Sequence, residues 1–409
     1  LFVLVAVLAA AVGAVSVLAL QGGSTPGSLS PQDIPSPAGP PGSGSTNTST
    51  INTQAVTAKV EPGVVDITSS LRYSGQVFEG TGIVLTSSGL VLTNNHVVDG
   101  STRLIATLVT SGHRYTAQIV GTDAREDVAL LRLVGASGLK TVQVGDSAKV
   151  TLGTPVVALG NAGGTGGAPT VTSGTITNVD RTITASDAGS GTSETLHNML
   201  QTNAPIAEGD SGGPLANGAG QVIGMDTAAN TQALGGPGTS QGFAIPINRA
   251  LAIARLMAAG NGNANIRIGQ PAFLGVAVAS TSSTAASASA SPQQQLQQLQ
   301  QTANQFGGGV NSNRACLAGN AGNPVPGQIA PASSGTLIAG VFCGAPAHVA
   351  GLKGGDVILA VNGRSVAAPA TLTKLLTHYR PGDRVSVSWM DTAGQRHTSS
   401  LTLAAGPAK

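Results

Sequence analysis

Gly209-Asp210-Ser211-Gly212-Gly213-Pro214 is the stretch on which the reading of this chain turns. An attacking hydroxyl needs a tight turn whose backbone N–H groups converge on one small volume. Gly209 permits that turn, and its N–H with that of Ser211 can hold the negative oxygen of a tetrahedral intermediate. Gly212 and Gly213 let neighbouring backbone approach closely. The bland alternative, a glycine-rich hairpin with an incidental serine, does not account for the whole hexapeptide.

A hydroxyl needs a base to become nucleophilic at neutral pH. Thr93-Asn94-Asn95-His96-Val97-Val98 offers a histidine just after an apolar strand, where loops present catalytic groups. A lone histidine is ordinarily a hydrogen-bonded structural residue, and His96 stands apart from the other histidines only by this setting. The third member must accept the imidazole N–H and fix its tautomer. Asp127, leading into Val128-Ala129-Leu130-Leu131-Arg132-Leu133, fits that role, while Asp123 and Glu126 fall in the preceding turn.

Working outward, short apolar runs divided by turn signals surround all three residues. Gly82 to Thr86 and Leu90 to Thr93 flank Ser87-Ser88-Gly89 and read as a hairpin. A second set covers Pro155 to Leu159, Val171 to Val179, Gln221 to Asp226 and Gly242 to Ile247, and a helix is expected over Asn248 to Ala258. The spacing predicts a mainly β chain with two barrels or sandwiches. With 9% charged residues, 2% aromatic residues and a net charge of +2, nothing supports nucleic-acid binding. The histidines and cysteines lack ligand-like spacing, so neither a metal nor any other cofactor is expected.

Residues 1–20 carry no charge and are long enough to cross a bilayer as a helix. They are expected to form a transmembrane signal-anchor, with further residues ahead of Leu1. A cleavable signal peptide ending near Ala14-Val15-Ser16 is the alternative. Both place the remainder outside the cytoplasm, on a single-pass cell-membrane protein or a secreted one. Residues 21–55, rich in Gly, Ser, Thr and Pro, read as a disordered linker. Cys316 and Cys343 suit an oxidising compartment as a disulfide, with two free thiols as the other reading.

The order His96, Asp127, Ser211, with the motifs around each, resembles the HtrA/DegP serine proteases, and most closely their actinobacterial membrane-anchored or secreted members. The resemblance implies a trypsin-like double β-barrel over 56–263, with His96 and Asp127 on the first barrel and Ser211 on the second. It implies a serine endopeptidase acting on unfolded or damaged cell-envelope proteins, and suggests a homotrimer. Two residues depart from the family pattern: Asp210 stands where Asn is usual, as in trypsin-like secreted proteases, and Glu208 where Pro is usual. Cleavage after Lys or Arg needs an acid near the pocket floor, usually at the position Pro205 occupies. A shallow apolar pocket for small aliphatic residues is therefore expected, formed by Pro205, Ile206, Met225, Asp226 and Thr227.

Residues 264–409 read as a second module. Phe273-Leu274-Gly275-Val276, Gly351 to Ile358 and Val361-Asn362-Gly363 resemble an α+β PDZ domain. In that fold a loop such as Phe273–Val276 presents N–H groups to a peptide C-terminal carboxylate, and the peptide adds a strand beside a helix, here Thr371 to Tyr379. A low-complexity insertion at about 281–334, including the run from Gln293 to Gln301, is expected to be mostly disordered. Two alternatives stay open: a module that only packs against the protease, and a latent protease serving as a PDZ-based binding or chaperone-like scaffold. Esterase action with the same triad is a further reading, without lipid-binding features to support it.

Overall fold

In the computed structural model, residues 33–37, 51–71, 76–164, 166–186, 193–227, 241–278, 291–305, 316–317 and 325–406 are described. The chain enters through α1 (Thr53–Val60), capped by Asn52, whose side chain accepts from the Ala55 N–H at 3.0 Å. Its Val56 and Val60 are buried.

Six strands then close on themselves: β1 (Val64–Leu71), β2 (Gln76–Val84), β3 (Leu90–Thr93), β4 (Arg103–Leu108), β5 (Arg114–Asp123) and β6 (Val128–Leu133). Their order is β5-β4-β1-β2-β3-β6, and β6 returns to β5. Closure leaves no unpaired edge within the barrel. A four-residue helix, α2 (Asn95–Val98), follows β3 directly.

The second barrel follows the same plan. Its strands are β7 (Gln143–Val144), β8 (Pro155–Gly160), β9 (Thr170–Ser186), β10 (Ser193–Thr202), β11 (Pro214–Asn217), β12 (Gln221–Thr227) and β13 (Gly242–Pro246). The order β11-β8-β9-β10-β13-β12 closes through β11–β12, with β7 attached outside to β12. After it comes α3 (Ile247–Ala258), which buries Ala250, Leu251, Ala254, Met257 and Ala258, the three-and-four spacing of one helical face. The short β14 (Ile266–Ile268) pairs with β5 of the first barrel.

Each barrel has its own interior, lined by Val65, Ile67, Val91 and Leu131 in the first and by Val156, Ala158, Leu200 and Leu215 in the second. A larger cluster joins them, bringing Leu92 and Leu130 together with Leu159, Met225 and Ile245, and adding Val56 of α1 and Leu251 of α3. The two barrels are therefore welded by a continuous apolar seam. Function at the seam inherits its rigidity.

The C-terminal module begins with β15 (Ala272–Phe273) and β16 (Val276–Val278). The sequence suggested one strand over Phe273 to Val278; the backbone breaks at Gly275, which takes a φ of 84°. After α4 (Pro292–Gln305) come β17 (Thr336–Val341), α5 (Pro346–Val349), β18 (Val357–Val361), β19 (Arg364–Ser365), α6 (Pro369–Leu376), β20 (Arg384–Met390), β21 (Arg396–Thr402) and β22 (Ala404–Ala405). Strands β16-β17-β18-β20-β21 form one sheet, with β19 on β18 and a separate β15–β22 pair. Leu372 and Leu375 of α6 pack with Ile338, Val387 and Trp389.

Two expectations change here, and a third, the disulfide, holds. The linker expected over 21–55 gives way to α1 at Thr53, and Ile34 is buried in the joining cluster while Arg255 Nη2 donates to the Pro35 carbonyl at 2.7 Å. The glutamine-rich run is an ordered helix, α4, not a disordered insertion. Ser291 and Gln294 cap it reciprocally, Gln294 accepting from the Ser291 N–H at 2.8 Å and donating its own N–H to the Ser291 hydroxyl at 3.4 Å. Leu299 then packs beside Leu337, Ala339 and Val357. Finally, Cys316 and Cys343 are bonded, with Cα atoms 4.9 Å apart, and Leu317 bridges to Phe342 beside them.

Residues 1–20 lie outside the described residues, and among those described no helix is long and apolar enough to cross a membrane.

Candidate active site

Strand β3 ends at Thr93, fully buried, and the chain turns at once into α2, which presents His96. Asp127 sits at the turn between β5 and β6 in a left-handed conformation, φ 51°, that is uncommon for a residue with a side chain. That turn is braced on both sides. The Asp123 carboxylate accepts from the Glu126 N–H at 3.2 Å, and Glu126 pairs with Arg249 of α3.

Asp127 is only 2% exposed, and its carboxylate faces the histidine twice over. Oδ1 accepts from the His96 backbone N–H at 3.0 Å, while the ring Nδ1 lies 2.9 Å from Oδ2 and 3.1 Å from Oδ1. A carboxylate beside Nδ1 requires the proton on that nitrogen, which makes Nε2 the nitrogen able to accept one. His96 and Asp127 are thus brought together as the sequence suggested.

Ser211 lies on the turn between β10 and β11 and is 5% exposed. Gly209 and Gly212, with φ of 97° and 85°, make that turn possible. A Cβ on Gly209 would stand 2.1 Å from the Asn161 carbonyl, and one on Gly212 would stand 2.1 Å from the Thr81 carbonyl. Neither position admits a side chain.

The first barrel holds this turn directly. The Thr81 N–H donates to the Ser211 carbonyl at 2.8 Å, and the Thr81 hydroxyl donates to the Gly209 carbonyl at 2.8 Å while accepting from the Asn161 N–H at 3.0 Å. Thr93, three residues before His96, donates its hydroxyl to the Thr81 carbonyl at 2.7 Å. The Ser211 turn therefore packs against the end of the strand that leads to the histidine. The Glu208 carbonyl accepts from the Gly163 N–H at 2.9 Å. A trans peptide then sends the Gly209 N–H the opposite way.

Asn94 makes a second bridge across the seam. Its amide donates to the Asp127 carbonyl and to the Thr227 hydroxyl, each at 3.0 Å. Thr81 and Asn94 were not singled out in the sequence. Thr81 lies between Gly80 and Gly82, and paired glycines inside a strand mark close backbone approach, a signal that was there to be read.

Two further carboxyls lie behind the serine. Asp210 accepts from the Ala207 N–H at 2.9 Å; burial raises it above the usual carboxylate range, opposed by that bond and one from Ala162. Asp226 is wholly buried, and burial first, then the charge of Asp210, push it well above that range. Of the other residues expected at the pocket, Pro205 is exposed and Ile206 half-buried, while Thr227 faces Asn94. Met225 points with Ile245 into the cluster joining the barrels, away from Asp226.

In the C-terminal module, Leu274 is buried and its carbonyl accepts from the Ala347 N–H at 2.9 Å, while the Gly275 carbonyl accepts from Phe342 at 3.0 Å. Phe273 lies against Phe342, and Val276 is half-buried at the start of edge strand β16. The helix α6 runs from Pro369 to Leu376, starting two residues and ending three residues earlier than expected. No group of metal-ligating side chains occurs among the described residues.

Two six-stranded barrels with a histidine, an aspartate and a serine at their seam are the architecture of a trypsin-like peptidase. Residues 80–225 match the family described as a trypsin-like peptidase domain, and residues 309–393 match the PDZ domain family. The chain is 33% identical over 306 residues to "Putative serine protease HhoA" of Synechocystis sp., covering 75% of this chain and 64% of that protein. It is 30% identical over 332 residues to "Probable periplasmic serine protease do/HhoA-like" of Haemophilus influenzae, covering 80% and 58%. "Serine protease PepD" of Mycobacterium tuberculosis is 34% identical over 246 residues, covering 57% and 50%. The chain belongs to the HtrA/DegP family of serine proteases, with a trypsin-like domain followed by a PDZ domain. It spans less than two thirds of the length of each of these relatives, and their spread singles out no actinobacterial subgroup.

Proposed function

We propose that the chain is a serine endopeptidase in which Ser211 is the nucleophile, His96 the general base and Asp127 the residue that orients the imidazole. The observation that carries this reading is the buried Asp127 carboxylate, 2.9 Å from His96 Nδ1 and also bonded to the His96 backbone. That arrangement fixes both ring orientation and tautomer before substrate arrives.

Ser211 Oγ attacks the peptide carbonyl as His96 Nε2 takes its proton. The tetrahedral oxyanion is held by the N–H groups of Gly209 and Ser211. His96 gives the proton to the departing amine, and an acyl-enzyme on Ser211 remains. Water, deprotonated by the same imidazole, releases the acid and restores the serine. Asp127 stabilises the imidazolium in both halves without itself taking the proton. Glu208 and Asp210 leave this scheme intact, because the oxyanion donors are backbone groups.

The substrates are extended segments of unfolded proteins. The PDZ module captures peptide C-termini through Phe273, Leu274, Gly275 and Val276, with the peptide adding to β16 beside α6. An extracytoplasmic site of action is supported by the disulfide and by the Haemophilus relative, whose name reads "Probable periplasmic serine protease do/HhoA-like". To test the activity, the full chain and Ser211→Ala are incubated with a permanently unfolded protein, and fragments are counted by mass spectrometry. Fragments from the wild type alone support the reading. Equal fragmentation by both, or none from a folded wild type, contradicts it.

A further inference from the structure

Asp226 is a carboxyl group without a partner. It is wholly buried, and neither of its oxygens meets a hydrogen-bond donor. Leaving a buried polar group unpaired is costly, so an unpaired carboxyl next to a reaction centre calls for a reason.

The strand register shows where it points. Asp226 lies opposite Ala244 across β12–β13, and Ala244 lies opposite Leu200 across β13–β10. Residues directly opposed on neighbouring strands share one face of a sheet. Ala244 and Leu200 belong to the interior of the second barrel, so Asp226 faces that interior too. Met225 and Thr227, its neighbours in sequence, turn the other way.

Its height in the barrel follows from its backbone. The Asp226 carbonyl accepts from the Gly212 N–H at 2.8 Å, and its N–H donates to the Gly213 carbonyl at 2.7 Å. The carboxyl therefore lies immediately beneath the turn that carries Ser211. Ile206 closes the space from the side: a Cβ on Gly242 would be 2.6 Å from Ile206 Cδ1. Gly242 is two residues from Ala244 on β13 and shares its face, so Ile206 stands over the same interior face as Asp226.

We infer that Asp226 is the specificity-determining residue of the pocket beside Ser211, and that it selects a short substrate side chain bearing a hydrogen-bond donor, such as Thr, Ser or Asn, immediately before the scissile bond. This inference rests on the proteolytic reading and replaces the aliphatic preference expected from sequence. A site built to hydrogen-bond its ligand rejects the apolar isostere, because its own polar group is then left unpaired. Burial pushes the Asp226 carboxyl well up, toward its protonated form, which offers a carbonyl oxygen as acceptor and a hydroxyl as donor. Neutral side chains with both functions suit it.

The test uses the full chain and an unfolded protein whose cleavage sites are mapped by mass spectrometry. Peptides made from a mapped site then differ only at the residue before the cut, comparing Thr with Val and Asn with Leu, pairs of nearly equal shape. The wild type is expected to favour Thr and Asn in kcat/KM by on the order of tenfold or more. Asp226→Val reverses the order, and Asp226→Asn retains a polar preference. Equal or better cleavage after Val and Leu by the wild type overturns the inference, as does an unchanged preference in Asp226→Val. If Asp226→Val does not fold, the wild-type ratios and Asp226→Asn decide. Failure of the wild type to cut the unfolded protein at all counts against the proteolytic reading instead.

Discussion

The Thr81 hydroxyl donates to the Gly209 carbonyl at 2.8 Å, so a residue of the first barrel fixes a peptide group of the nucleophile turn in the second. The same oxygen accepts from the Asn161 N–H at 3.0 Å, and the Thr81 N–H holds the Ser211 carbonyl. The serine's position thus depends on the seam between the barrels as well as on its own turn.

Replacing Thr81 by Val keeps the shape and leaves two buried backbone groups, the Gly209 carbonyl and the Asn161 N–H, without a partner. Such losses cost about 1–3 kcal/mol. In the proposed mechanism this turn presents the oxyanion donors, so we expect kcat to fall about tenfold to a hundredfold with little change in KM. Thr81→Ser should restore most of the activity. Steady-state kinetics of the three proteins provide the check, and a Ser variant as slow as the Val variant would argue that only packing matters there.

Asp127→Asn retains the volume but can offer an N–H where the imidazole N–H needs an acceptor. The wrong tautomer then leaves no base facing Ser211, and we expect a loss in kcat of about 10⁴-fold. Near-wild-type activity would mean that Asp127 does not orient His96.

Much of this site could be read from sequence because its chemistry demands particular residue types in short runs. The Gly209–Pro214 turn, His96 after an apolar strand and Asp127 before one each carried a local signature. The supports did not. Thr81 and Asn94 act across the seam, and their partners lie far away in sequence: Gly209 for Thr81, Asp127 and Thr227 for Asn94. Asp226 could be placed on a strand near the pocket, but which face it occupies follows only from the β12–β13 register. In the PDZ module, composition pointed to disorder where the Ser291–Gln294 cap and the apolar face of α4 give a helix. A local cap is readable; glutamine content obscured it.

Gln295 of α4 ties that helix to the sheet. Its amide donates to the Gly335 carbonyl and accepts from the Leu337 N–H, both at 2.8 Å. Gln295→Ala strands both backbone groups in a buried setting, and should destabilise the PDZ module by about 1–3 kcal/mol. Thermal unfolding should show a lower midpoint for that module. An unchanged midpoint would mean that α4 is not part of its cooperative unit.

Asp66 on β1 provides a pH test of the first barrel. Burial, with the nearby charge of Glu79, raises its carboxyl to about 6 from the ordinary 3.8. The folded state binds this proton more tightly than the unfolded chain does. Its contribution to stability is therefore fully present below about pH 4 and is lost as pH rises through about 6. Asp66→Asn should melt like wild type near pH 4 and at higher temperature than wild type above pH 6. A variant that is less stable than wild type above pH 6 would contradict this and place the importance of Asp66 in its ionised form.

The most direct test of the account is covalent labelling of Ser211 by a fluorophosphonate, read by peptide mass spectrometry in the wild type and in His96→Ala. The geometry predicts a single adduct on Ser211 in the wild type and little or none in the variant, because only an imidazole-activated serine reacts readily. Labelling of another residue, or equal labelling of Ser211 in both proteins, would contradict the claim that His96 activates Ser211.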